Sequence, residues 1–301
     1  MTSYNQIVTL DNSPQIHLVI KRDDLLHPYI SGNKFRKLKY NLEQAKFLNH
    51  TTLLTFGGAF SNHIAAVAAA GKEFGFKTIG VIRGDELASN MHQNPTLAFA
   101  QSCGMQFEFV SREVYREKES PQLISLLEQK WGGFYLIPEG GTNELAVRGA
   151  EEILTSDDSS YDYICCAVGT GGTISGLIRS AFSHQKILGF PALKGDFLQA
   201  EICKFAAVGH WELIQGYDFG GYAKVTPELI EFINEFYQKN QVPLDPIYTG
   251  KMVFGVMDLI SKGYFPPGSK ILMIHTGGLQ GIQGMNQVLK QKKLPLIITN
   301  D

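Results

Sequence analysis

The chain has 301 residues, 44% of them hydrophobic, and a formal net charge of −2. That length and apolar share can fill one large or two moderate cores. Near-neutral charge with no long basic block argues against a nucleic-acid partner, and no apolar run approaches the length of a membrane span, so no membrane partner is expected.

The N-terminal stretch MTSYNQIVTLDNS (1–13) has neither the cationic start nor the apolar run of a signal peptide. Cys103, Cys165, Cys166 and Cys203 form no C-x-x-C pair and no disulfide framework. A cytoplasmic, reducing location is the expectation, with Cys165 and Cys166 as buried thiols inside an apolar run.

In chain order, SGNKFRK (31–37) comes first, with Lys34 behind a Ser-Gly-Asn turn at the head of a helical pattern. Lys34 is either a surface cation like Arg36 and Lys37 or an amine held by the turn for chemistry. Strand TTLLTF (51–56) ends at GGAFSNH (57–63), where Ser61-Asn62 open the helix containing IAAVAAA. Such a helix start suits a substrate carboxylate. An ordinary N-cap is the alternative, and His63 by itself says little. Strands KTIGVI (77–82), QFEFV (106–110) and FYLIP (134–138) follow, with helices begun at Asn94-Pro95 and Ser120-Pro121.

YDYICCAV (161–168) then runs into GTGGTISG (169–176) and KILGF (186–190). Thr226-Pro227 starts a helix whose Leu229, Ile230, Ile233, Phe236 and Tyr237 share one stripe. KILMIH (270–275) ends at HTGG (275–278). Alternating strands and helices predict an α/β fold with parallel sheets. No linker divides the chain, so a second domain is expected to be inserted in the first.

Three glycine clusters follow strands directly, where open α/β sheets bind ligands. In GTGGTISG, free backbone N–H groups and a helix start converge, which favours a phosphate, and Thr170 and Thr173 add hydroxyls. The loop is not G-x-x-x-x-G-K-[ST]. Ile174 stands where G-x-G-x-x-G needs its third glycine, and KILGF ends without an acidic residue for a ribose. A nicotinamide cofactor is thus a second choice behind a small monophosphate. No metal motif and no G-x-S-x-G are present.

KRDDL (21–25), SGNKFRK, GGAFSNH, PEGGTN (138–143), VGTGGTISG, GGYAK (220–224), DPIYTGK (245–251) and HTGG occur in one order. With that ordered set the chain resembles the fold-type II pyridoxal-phosphate enzymes, and more closely the family of 1-aminocyclopropane-1-carboxylate (ACC) deaminase and D-cysteine desulfhydrase. The resemblance covers most of the chain. It implies pyridoxal 5'-phosphate as cofactor and two open, twisted, mainly parallel sheets flanked by helices. Residues 1–40 and 155–301 would form the large cofactor-binding domain and 41–154 a small inserted one. A homodimer acting on a small amino acid is implied as well. Lys34 would be the Schiff-base lysine, with Asn33 beside the cofactor. Ser61, Asn62 and His63 would meet the substrate carboxylate, Asn62 also lying near the cofactor hydroxyl. Gly169, Thr170, Gly171, Gly172 and Thr173 would cradle the phosphate. Tyr222 and Tyr248 would line the substrate face and Thr276 the pyridine nitrogen, so the catalytic set is Lys34, Ser61, Tyr222 and Tyr248.

Within the family, ACC deaminases typically have Ser-Asn-Gln at the helix start, Glu after the C-terminal tyrosine and Leu in the His-x-Gly-Gly turn. This chain has Ser-Asn-His, Thr249 and Thr276. These differences lean towards D-cysteine desulfhydrase, with ACC deamination as the alternative. Ala65 and Ala66, the missing Gly-Val-Pro after GGYAK and a short stretch before WELIQGY depart from the better-known members. A non-catalytic phosphate-ligand module is the reading outside enzymology.

Overall fold

The computed structural model describes residues 3–10, 15–195 and 197–299; of the N-terminal stretch read above, residues 1–2 and 11–13 lie outside them. The strands are β1 (Asn5–Ile7), β2 (His17–Lys21), β3 (Thr52–Gly57), β4 (Lys77–Arg83), β5 (Gln106–Val110), β6 (Tyr135–Ile137), β7 (Tyr163–Val168), β8 (Lys186–Pro191), β9 (Trp211–Leu213) and β10 (Lys270–Ile274). The helices are α1 (Asn33–Phe47), α2 (Asn62–Phe74), α3 (Pro95–Ser102), α4 (Arg112–Arg116), α5 (Pro121–Trp131), α6 (Glu144–Glu151), α7 (Gly172–Ser180), α8 (Phe197–Cys203), α9 (Pro227–Asn240), α10 (Thr249–Ser261) and α11 (Gly281–Gln291).

Two open sheets result, ordered β1-β2-β10-β7-β8-β9 and β5-β4-β3-β6. Pairing is parallel throughout except between β1 and β2. Parallel strands are covered on both faces, which is why they read as continuous apolar runs. In β7, Ile164, Cys166 and Val168 enter one core cluster, and Cys165 and Ala167 the other. Both of these cysteines are free and fully buried, as expected. Among the described residues no helix is long and apolar enough to cross a membrane.

The capping signals place the helix starts correctly. Asn94, Ser120 and Thr226 accept from Leu97, Leu123 and Leu229 backbone N–H, with proline at the first helical position each time. All five residues of the α9 stripe are buried. The six-stranded sheet draws on residues 5–21 and 163–274, the four-stranded sheet on 52–137, while α1 runs across position 40. We propose that segment 41–154 forms the smaller domain around the four-stranded sheet, with α1 shared between the two.

Close backbone packing ties α1 to the rest. A Cβ on Gly149 of α6 would stand 2.0 Å from the Arg36 carbonyl oxygen of α1, and one on Gly176 of α7 would stand 2.5 Å from Ala150 Cβ. Helices α1, α6 and α7 therefore approach through glycines. An interior helical glycine usually gains about 1 kcal/mol on mutation to alanine. Gly149→Ala is expected to do the reverse, lowering unfolding free energy by about 1–3 kcal/mol through overpacking, as read from urea denaturation.

Candidate active site

The carboxyl ends of β3, β7 and β10 and the start of α1 converge on a cavity of about 520 Å³. The sequence-derived residues Asn33, Lys34, Ser61, Asn62, His63, Gly169, Thr170, Gly171, Gly172, Thr173, Tyr222, Tyr248 and Thr276 all line it. Residues up to 243 positions apart are thus brought to one site.

The start of α1 is held by several independent contacts. Gly32, at φ +62°, lies so close to the HTGG turn that a Cβ would fall 2.0 Å from the Thr276 oxygen. Only glycine tolerates both that conformation and that approach. Asn33 N–H donates to the same Thr276 carbonyl at 3.1 Å, and Asn33 Nδ2 donates to Thr173 Oγ1 at 2.8 Å. One turn on, Arg36 donates to buried Asp23 at 3.2 and 3.3 Å. The turn that holds Lys34 is therefore anchored to the start of α7 and to segments near both ends of the chain.

Lys34 Nζ reaches the Gly140 carbonyl at 3.4 Å. Burial lowers its pKa to about 8. Lys37, three residues on and on the same helix face, donates to the same carbonyl at 2.6 Å and to Thr142 Oγ1 at 2.8 Å. Its pKa is pushed well below the ordinary lysine value by burial and then by the Lys34 charge. No carboxylate forms an ion pair with either amine among the described residues. Contrary to the expectation of a surface cation, Lys37 is 2% exposed. The spacing within SGNKFRK was the available signal, but its burial comes from distant chain.

The glycine loop forms as expected. Gly171 adopts the left-handed conformation at φ +85° and α7 begins at Gly172. A Cβ on Gly172 would lie 3.2 Å from Lys37 Nζ, so the amine stands beside the helix start. Thr170 and Thr142 hydroxyls share a hydrogen bond of 2.6 Å. Helix start, hydroxyls and two buried amines are the kinds of donor that suit an anion. Ser31 Oγ and His63 Nδ1 also lie buried without hydrogen-bond partners beside this cavity. These residues fit a phosphorylated cofactor that carries a reactive carbonyl for Lys34.

Ser61 Oγ caps α2 by accepting from Ile64 N–H at 3.3 Å, while Asn62 Oδ1 accepts from Gln280. His63 is 3% exposed and its Nε2 pairs with Thr55 Oγ1 at 2.8 Å. Burial, then the charges of Lys34 and Lys37, hold its pKa well below the usual value, so the ring is neutral. Tyr222 and Tyr248 meet edge to face, centroids 6.3 Å apart. Burial raises both hydroxyl pKa values, that of Tyr248 strongly.

Two further residues position these tyrosines. Asp245 accepts from the backbone N–H of Ile247, Tyr248 and Thr249 at 2.8–2.9 Å and so orients the start of α10. Lys251 Nζ, also buried, donates to the carbonyls of Asp218 and Gly221 at 2.7 and 2.8 Å, tying the Tyr222 loop to α10.

Residues 2–277 match the family described as "Pyridoxal-phosphate dependent enzyme", and the chain belongs to that family; pyridoxal phosphate is its cofactor. A putative ACC deaminase from Pyrococcus furiosus is 33% identical over 88% of this chain and 85% of its own length. A bifunctional, mitochondrial D-cysteine desulfhydrase/ACC deaminase from Arabidopsis thaliana is 32% identical over 88% of this chain and 73% of its own. The crystal structure of an ACC deaminase homologue superposes with a TM-score of 0.80, at 28% identity, over 97% of this chain and 94% of that one. Within the pyridoxal-phosphate enzymes the chain therefore falls in the ACC deaminase and D-cysteine desulfhydrase group.

Two outcomes follow from the amines. Carbonyl addition needs the free base, and Lys34 loses its proton near pH 8. The rate at which apoprotein takes up pyridoxal phosphate should therefore rise with pH around a midpoint near 8 rather than 10.5, as followed by stopped-flow absorbance. Lys37→Met should weaken pyridoxal phosphate about tenfold or more, the worth of a charge-assisted hydrogen bond. It should change binding of unphosphorylated pyridoxal far less, as read by equilibrium dialysis of the apoprotein.

Proposed function

We propose that the enzyme eliminates a leaving group from a small amino acid, most nearly as a D-cysteine desulfhydrase: D-cysteine and water give pyruvate, ammonia and hydrogen sulfide. The observation that carries this reading is the buried Lys34 amine, its pKa lowered to about 8, lining one cavity with two tyrosines whose hydroxyl pKa values are raised. Lys34, Asn33, Asn62 and Thr276, with Lys37 and residues 169–173 for the phosphate, are the groups that would hold the cofactor.

When bound, pyridoxal phosphate supplies an electron-accepting ring for negative charge developing at Cα. The protein chooses which bond breaks. Lys34 Nζ, with a pKa of about 8, gives up its proton far closer to neutrality than an ordinary lysine and is suited to take the α-proton. Tyr222 and Tyr248 keep theirs and can donate to the departing sulfur. The start of α2, with Ser61 and Asn62, offers N–H and side-chain donors to the substrate carboxylate. Thr276 would offer a neutral hydroxyl to the cofactor's ring nitrogen, compatible with an elimination that does not require the strongest electron sink.

One local observation favours desulfhydration over ring opening. Thr249, the position after Tyr248, is fully buried, and its hydroxyl donates to Asp245 at 2.7 Å. It completes the helix start and brings no carboxylate to the tyrosine. The relatives carry both names, so ACC deamination to 2-oxobutanoate and ammonia is the second reading.

The test supplies D-cysteine and ACC separately and measures sulfide, pyruvate and 2-oxobutanoate. Sulfide with pyruvate is expected from D-cysteine. Lys34→Ala should lower it about a thousandfold or more and remove the protein-linked visible absorption of the cofactor. Production of 2-oxobutanoate without sulfide would replace the desulfhydrase reading with the deaminase one.

A further inference from the structure

A second cavity, about 450 Å³, is lined by Arg83, Arg112, Tyr115, Arg116, Lys118 and Glu139. Arg83 and Glu139 line the catalytic cavity as well, so the two share a wall. Four of the six lining side chains are cations, and nearby carboxylates account for only part of that charge. Arg112 pairs with Glu86 at 2.5 Å, outside the cavity lining. Glu139 is 3.5 Å from Lys118 and accepts the Tyr115 hydroxyl at 2.7 Å, so its charge is already engaged.

Arg83 and Arg116 have no carboxylate partner among the described residues, whereas Arg22, Arg36, Arg112 and Arg179 each have at least one. Arg148, the other unpaired arginine, lies over the Tyr40 ring at 4.3 Å and lines neither cavity. Arg83 and Arg116 are both exposed, as on a solvated charged face. Such a face does not by itself explain why the two without carboxylate partners, one from β4 and one from α4, converge on a hollow bordering the catalytic cavity.

Arg83 is the link. It ends β4, with Nη2 3.8 Å from where a Cβ on Gly58 would stand and its guanidinium 5.8 Å from the Tyr115 ring centroid. Gly58 belongs to the turn leading into Ser61 and Asn62, so Arg83 borders the expected substrate face. Its charge is also felt at the Tyr222 hydroxyl, where it opposes the effect of burial. Guanidinium groups bind carboxylate, sulfonate and phosphate with two parallel hydrogen bonds. Uncompensated positive charge in a concave wall also raises the local concentration of anions.

We propose that this second cavity is a subsite for an oxyanion at the distal end of the substrate. Besides a small amino acid such as D-cysteine, the enzyme then takes amino acids whose β or γ substituent ends in a carboxylate, sulfonate or phosphate gripped by Arg83 and Arg116. This rests on the reading of the first cavity as an amino-acid site and extends its substrate class.

The experiment compares serine with serine O-phosphate, each as both enantiomers, on the enzyme loaded with pyridoxal phosphate. Pyruvate formation and the saturable change in cofactor absorption are recorded for each. Taking the ratio of kcat/KM between the two amino acids, then comparing variants, cancels the intrinsic advantage of the better leaving group. That ratio should fall about tenfold or more in Arg83→Gln and in Arg116→Gln, partly recover in Arg83→Lys, and stay unchanged in Arg148→Gln. Inorganic phosphate should compete with serine O-phosphate.

Arginine-dependent binding of serine O-phosphate without pyruvate would keep the subsite and remove the elimination chemistry. Pyruvate formation with a ratio indifferent to both arginines would overturn the subsite and keep the chemistry. Failure of serine O-phosphate to bind would also overturn the subsite. So would inorganic phosphate altering serine turnover through Arg116 without competing with serine O-phosphate, which would make the cavity a regulatory anion site.

Discussion

The site depends on how closely the backbone at Gly32 approaches the backbone at Thr276. No side chain fits between them, and Asn33 N–H closes the contact on the same carbonyl. This joins the turn before α1 to the turn after β10, segments from opposite ends of the chain. Asp23 reinforces it twice: its carbonyl accepts Gly32 N–H at 3.1 Å and its carboxylate holds Arg36. Lys21 with Asp158, and Arg22 with Asp24, are buried ion pairs beside it. Buried pairs add little net stability when set against apolar replacements, but breaking one is costly. They suit a place where one precise arrangement matters more than total stability.

Lys34 and Lys251 show that a lowered pKa alone does not define a reactive amine. Burial brings both to about 8. Lys251 is satisfied by two carbonyls at 2.7 and 2.8 Å and serves as a tie for the loop before Tyr222. Lys34 has one contact at 3.4 Å, on a carbonyl that Lys37 holds more tightly. It lines the open cavity and is left able to form a new bond. Incomplete hydrogen bonding, together with access, separates the two amines.

Much of this was legible from local chemistry. The strand-glycine-helix unit around 163–180 and the Asn-Pro, Ser-Pro and Thr-Pro starts are short-range signals, and they appear where expected. Strands β1 and β9 are three residues each and lie at sheet edges, too short to show a period. Strand β2, HLVIK, offers four apolar or ring-bearing residues before a buried lysine, and its place beside β10 is fixed only by distant pairing. The hidden position of Lys37, and the arginines that meet beside Glu139, are products of tertiary assembly. Lysine and arginine look solvated in any sequence until the fold removes or arranges the water around them.

Helix α1 also has a mechanical consequence. Its first turn carries Lys34 and Lys37 into the cavity, while Leu38, Leu42 and Ala45 pack in the core cluster beside β3 and α2. Asn41 joins it to Asn143 and Tyr135 as well. At 1.5 Å rise per residue, about 16 Å separates Lys34 from Ala45 along one rigid rod. The rod is clamped to the larger sheet near Gly32 and packed against the smaller one further along, so the aim of Lys34 is a gauge of how the two sheets are set against each other.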